Sequence, residues 1–243
     1  MQRLALRDSG AFLIALLVTL QVRESVANPV IGKLELPGVL PRHPPLAGKG
    51  FLDRLENPKK PVQGVNVGPY LLVVLEGDGK AIEAPPGQIP WDLVGESFAR
   101  PVIGAPVGGE ILIKNTSKTA RTLFAVEDPK LIPTGPINPT GPKSFRVTEP
   151  RIYTIGDKDA PHLKGKVVVV ATPYVATVEV TSTTSGNTGR FEFPDVPEGS
   201  YKLRIFYKDG WIDRPDDTVT VGAKGKTEIS VKVPAGYPLA PKK

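Results

Sequence analysis

The 27 prolines and 25 glycines spread along this 243-residue chain constrain its fold more than any other feature. Proline removes a backbone donor and clashes with the preceding helical turn, while glycine loses the most backbone freedom when ordered, so both oppose long helices. At this density they favour short strands joined by tight turns. The expectation is an all-β protein, long enough for two sandwiches that each have a core.

The strand signals agree. Residues 70–75 form a β-rich run ending at Gly77-Asp78-Gly79, and residues 109–114 form another before a polar turn at 115–119. Further runs lie at 122–126, 143–147, 151–155 and 166–171, with a proline-rich loop over 128–142. Val167-Val168-Val169-Val170 is apolar on both faces, as expected of a strand in the middle of a sandwich. A second series starts near residue 175. In it Tyr201, Leu203, Ile205 and Tyr207 alternate with Lys202, Arg204 and Lys208, and Ile229, Val231 and Val233 repeat the device.

The ends read differently. Residues 1–27 form an export signal, with Arg3 and Arg7 ahead of an apolar stretch over 11–22 and Ser25-Val26-Ala27 before a cut at Asn28. About twelve apolar residues span about 18 Å as a helix, short of a bilayer core of about 30 Å. Cleavage is therefore expected, leaving no transmembrane span and a periplasmic or extracytoplasmic, membrane-surface location. Residues 28–62 carry Pro29, Pro37, Pro41, Pro44, Pro45, Pro58 and Pro61 and are expected to be an extended arm. Its spaced apolar residues Leu34, Leu36, Leu40, Leu46, Phe51 and Leu52 are the candidate interface, together with Trp211 far along the chain. Residues 235–243 form a shorter tail of the same kind.

The residue inventory excludes much chemistry. With no cysteine there are no disulfides, thiolate nucleophiles, iron–sulfur ligands or Cys-based zinc sites. His43 and His162 are the only imidazoles and Met1 the only methionine. Neither histidine lies near a nucleophile elbow, and Gly77-Asp78-Gly79-Lys80 is too short for a phosphate loop. Asp157, Asp159 and Glu149 lack the ligand alternation of a calcium loop and read as solvated turn carboxylates. The net charge of +6 is scattered, without the basic stripe that nucleic-acid binding needs.

Two resemblances refine this reading. Gly189-Arg190-Phe191-Glu192-Phe193-Pro194-Asp195-Val196-Pro197-Glu198-Gly199-Ser200-Tyr201 resembles the signature of carboxypeptidase-regulatory-like domains, which implies a transthyretin-like β-sandwich over residues 175–234. The motifs Val73-Val74-Leu75-Glu76-Gly77, Ala105-Pro106-Val107-Gly108, Ile113-Lys114-Asn115 and the valine run resemble cupredoxin-like domains, which implies a first sandwich over residues 63–174. Copper-binding relatives supply a His, a Cys, a second His and a Met at positions where this chain holds Arg121 or Ala120, Asp157, Ala160 and Leu163. Soft thiolate and imidazole ligands are thus missing, so no metal or other cofactor is expected.

Functionally, these readings imply a non-catalytic structural or binding subunit that braces or docks onto a membrane-associated complex. Its expected partners are proteins at the extracytoplasmic face of a respiratory or photosynthetic assembly, such as one around a reaction centre. The alternative is a carbohydrate- or cell-surface-binding module.

Overall fold

The computed structural model describes residues 28–37, 67–77, 87–183, 186–215 and 217–238, and they form an all-β protein. The described residues open with β1 (Val30–Leu36), a 3-10 turn (Gly68–Tyr70) and β2 (Leu71–Glu76). It continues through β3 (Gln88–Val94), β4 (Ser97–Phe98), β5 (Val102–Pro106), β6 (Glu110–Asn115), β7 (Leu123–Ala125), β8 (Pro142–Arg146), β9 (Ile152–Asp157) and β10 (Lys164–Val170). The last stretch holds β11 (Val175–Thr177), β12 (Glu179–Thr183), β13 (Gly186–Phe193), β14 (Gly199–Tyr207), β15 (Gly210–Trp211), β16 (Asp217–Val221) and β17 (Thr227–Lys232).

Strands β3 to β10 pair only among themselves. They make two four-stranded sheets, ordered β4-β3-β6-β8 and β5-β10-β9-β7. Trp91, Ile111, Ile113 and Phe145 from one sheet pack against Ile103, Tyr153, Ile155 and Val167 from the other, which makes this a sandwich with its own core.

The second sandwich is discontinuous. Its sheets are β12-β13-β1-β17 and β11-β2-β14-β15, with β16 also paired to β14. Leu34, Phe191, Phe193 and Val231 meet Leu71, Val73, Leu75, Leu203 and Ile205 in its core. The first sandwich is therefore an insertion between β2 and β11, which return side by side with Val175 opposite Val74. This corrects the expected boundary of a first sandwich over 63–174, because β2 lies between β14 and β11 of the second.

Strand β1 brings a larger correction. Instead of forming a free arm, residues 30–36 fill the middle of a sheet, antiparallel to β13 and parallel to β17. Pro29 and Pro37 frame the strand and do not interrupt it. Within it Val30, Leu34 and Leu36 turn inward while Lys33 and Glu35 face out, the period-two pattern of a half-buried strand. Gly32 lies opposite Phe191 and leaves room for its ring: a Cβ there would fall 1.9 Å from Phe191 Cζ.

The start of the expected tail is also part of the fold. Tyr237 is buried and stacks on Tyr207 at 4.5 Å, and the Asp213 N–H donates to the Pro238 carbonyl at 2.7 Å. The expected signal segment, residues 38–62 of the expected arm and residues 239–243 lie outside the described residues.

An apolar seam joins the two sandwiches. Strand β2 points Leu71, Val73 and Leu75 into its own core and Leu72 and Val74 outward, while β10 does the same with Val167 and Val169 against Val168 and Val170. The outward residues of both strands meet Val102 and Phe206 in one buried cluster. Gly104 permits the close approach, since a Cβ there would fall 2.2 Å from Val175 Cγ1. Lys166 Nζ on the first sandwich and Asp209 Oδ1 on the second form an ion pair at 2.8 Å across the seam.

Candidate functional site

Two regions of the first sandwich and its seam carry chemistry-bearing side chains. The first is the end formed by the turn after β6 and the loop after β9. Asn115 is fully buried and organises the turn: its Nδ2 donates to the carbonyls of Thr119 and Ile137 at 2.9 and 2.8 Å, and its Oδ1 accepts from the Ser117 N–H at 3.0 Å. Arg121 follows, pinned by reciprocal backbone bonds with Ile137. Asp157 ends β9 opposite Leu123, and its Oδ1 accepts the amides of Asp159 and Ala160 at 2.7 and 3.2 Å.

The expected ligand positions are thus brought together, but as other chemistry. Arg121 Nη1 stands 4.0 Å from Asp157 Oδ2, with both side chains buried, and Arg121 Nη2 donates to the Gly95 carbonyl at 3.3 Å. Ala160 and Leu163 are buried in the core below. A guanidinium, a carboxylate already holding two amides, a methyl and an isobutyl group do not make a copper site. The cation already present at Arg121 would also repel a metal ion. Arg121 Nε and Asp157 Oδ2 have no hydrogen-bond partner among the described residues, so the pair is desolvated but loosely seated. Outside it, His162 Nε2 lies 3.4 Å from Glu96 Oε2 with both side chains exposed, a surface pairing. Among the described residues no three His, Asp or Glu side chains converge on one point.

The second region is a cleft of about 430 Å³ at the seam, within the usual range for ligand sites. Strand β10 forms its floor, and Glu76, Arg151, Ile152, Thr172, Arg204 and Trp211 line it. Glu76 and Arg204 sit on neighbouring strands, and Arg204 Nη1 donates to Glu76 Oε1 at 2.8 Å. The Arg204 guanidinium also lies over the Trp211 ring, 4.0 Å from its centroid, and Trp211 meets Phe206 edge-on at 5.4 Å. Arg204 is therefore fixed by charge and by stacking. Arg151 pairs with Glu149 at 3.3 Å in solvent. The Thr172 hydroxyl oxygen accepts the Tyr174 amide at 3.2 Å.

Of the candidate interface residues, Leu34 and Leu36 lie in the second sandwich's core and present nothing to a partner. Leu40, Leu46, Phe51 and Leu52 lie outside the described residues. Trp211 does reach a cleft wall. Sequence reasoning missed Glu76, Arg151, Thr172 and Arg204 as a group, and it had no signal for them, because two chain segments 128 residues apart supply the central Glu76–Arg204 pair.

Among the described residues no helix is long and apolar enough to cross a membrane. Solved structures similar to this chain include a reduced amicyanin variant, 18% identical over 40% of this chain and 99% of that one, with a TM-score of 0.32. Another is a purple cupredoxin from Nitrosopumilus maritimus, 15% identical over 34% of this chain and 99% of that one, with a TM-score of 0.31. No protein-family model matches the chain, and no curated protein matches it. At these values neither structure brings a function with it.

Proposed function

We propose that the chain is a non-catalytic binding subunit, a stiff body of two sandwiches that braces or docks onto other proteins at the extracytoplasmic side of a membrane. The observation that carries this reading is the insertion of one sandwich into the other. Two covalent crossings and an apolar seam of Leu72, Val74, Val102, Val168, Val170 and Phe206 hold the halves in one orientation. A body of that kind suits the presentation of a shaped surface over a wide contact.

The chemistry of the first sandwich supports it too. The Arg121–Asp157 pair, Ala160 and Leu163 stand where a redox metal would need soft ligands, so electron transfer has no carrier there. The alternative reading, a sugar-binding module, is weakened at Trp211, because Arg204 already stacks on the ring that a sugar would use. The finer proposal is a respiratory or photosynthetic complex, such as an assembly around a reaction centre. The test is mild solubilisation of native membranes containing the tagged chain, at low and high salt. We expect one or more membrane proteins to co-migrate in fixed ratio; elution of the chain alone at every salt concentration overturns the reading.

A further inference from the structure

We propose that the seam cleft is a docking pocket for an acidic, partly apolar peptide segment of the partner protein, with a carboxylate held between Arg204 and Arg151. This rests on the binding-subunit reading above and names where and by what chemistry it acts.

Charge and shape point to that occupant. Two guanidinium groups and one carboxylate, Glu76, line the cleft; the second carboxylate near them, Glu149, stands in solvent outside the lining, and the whole chain carries a net charge of +6. A guanidinium has five N–H donors, and the ion pair with Glu76 engages Arg204 Nη1, so the planar fork retains capacity for an incoming carboxylate. Stacking on Trp211 holds that fork in place before any ligand arrives, which reduces the ordering cost of binding. Arg151 is held by an exposed pair with Glu149 and lies over the Tyr153 ring, 5.6 Å from its centroid; the solvent-exposed ion pair is weak enough to exchange for a ligand carboxylate. Next to these charges lies Ile152, half-buried over the valines of β10, so an apolar side chain beside the carboxylate would be covered as well. A bare inorganic anion would leave that apolar wall wet. Both sandwiches supply walls, so the pocket exists only in the joined body.

The test uses the full chain and a fluorescein-labelled hexapeptide of alternating leucine and aspartate, read by fluorescence anisotropy. Controls are the same peptide with lysine or asparagine in place of aspartate, and vesicles of phosphatidylglycerol. The acidic peptide is expected to bind with an affinity that falls as salt rises, and Arg151→Glu, at an exposed side chain, is expected to weaken it by about tenfold or more. Trp211→Leu provides a second variant. With two tryptophans in the chain, the indole N–H signal of Trp211 is expected to shift on binding while that of the buried Trp91 stays in place. Equal binding of the three peptides overturns the proposal, as does an Arg151→Glu chain that binds like wild type. Arg151-dependent uptake by the vesicles without peptide binding overturns it in favour of a lipid headgroup. The two proposals fail separately: if Arg151→Glu still co-purifies with the membrane partner as wild type does, the cleft is the wrong site but the subunit reading stands. If nothing co-purifies, the subunit reading fails whatever the peptides do.

Discussion

Replacing Arg121 by Met removes the cation that faces Asp157 while keeping an unbranched side chain of comparable reach. Breaking a buried ion pair by deleting one partner typically costs about 3–5 kcal/mol, because the other charge is left without compensation. Here the separation is 4.0 Å and Asp157 keeps the amides of Asp159 and Ala160, so the loss falls at or just below the lower end of that range. We expect about 2–3 kcal/mol for Arg121→Met, and a similar loss for Asp157→Asn, which leaves the guanidinium unpaired. The double variant is expected to lose at least about 1 kcal/mol less than the sum of the two, since each single change already removes the interaction. Urea unfolding followed by the fluorescence of Trp91, in the same sandwich, measures all three. Single losses below about 0.5 kcal/mol that add without coupling would refute the view that Arg121 and Asp157 compensate each other as a buried pair.

Three further outcomes follow from particular residues. Gly32→Ala is expected to destabilise the second sandwich by about 1–3 kcal/mol, because the buried Phe191 ring or the strand itself must shift to admit the methyl; thermal unfolding checks it, and an unchanged melting temperature would restore β1 to the status of an arm. Burial, aided by neighbouring Tyr207, pushes the Tyr237 hydroxyl up to about 12, above the value of about 10 it has when unfolded. Both states are neutral below pH 10, and above it the unfolded chain ionises first, so stability should fall by roughly 2–3 kcal/mol as pH rises to about 12. Tyr237→Phe should remove most of that loss and be nearly neutral at pH 7, where its hydroxyl has no hydrogen-bond partner among the described residues; urea titrations at several pH values read both effects. Dialysis against copper followed by metal analysis should leave no stoichiometric metal on the chain, whereas one tightly held ion per chain would contradict the reading of Arg121 and Asp157.

Several strands were legible because their side chains alternate or their turns are explicit. In β14, Tyr201, Leu203 and Ile205 point into the core as the alternation implied. On its other face, Arg204 and Phe206 turn toward the seam, which alternation alone does not reveal. The valine run of β10 is apolar on both faces for the same reason: one face packs inside its sandwich and the other against the second sandwich. Strand β2 shows the same double-sided pattern, which periodicity cannot assign to one domain or another. Its partners β11 and β14 follow only after the inserted sandwich, and contiguous reading placed it with its nearer neighbours. The proline count conceals β1, because Pro29 and Pro37 lie just outside the strand and leave its ladder intact. At the loop end, resemblance singles out the positions of Arg121 and Asp157, and the structure adds that they face each other.

The proposed function and the cleft both require that the two sandwiches move as one body. Residual dipolar couplings of backbone amides in β3–β10 and in the strands of the second sandwich test this directly, because each set reports the orientation of its own domain in solution. One alignment tensor should fit both sets, with Arg204, Trp211 and Arg151 held around a single cleft. Two tensors of different magnitude or orientation would mean that the seam opens freely, and would contradict a rigid bracing subunit and its pocket together.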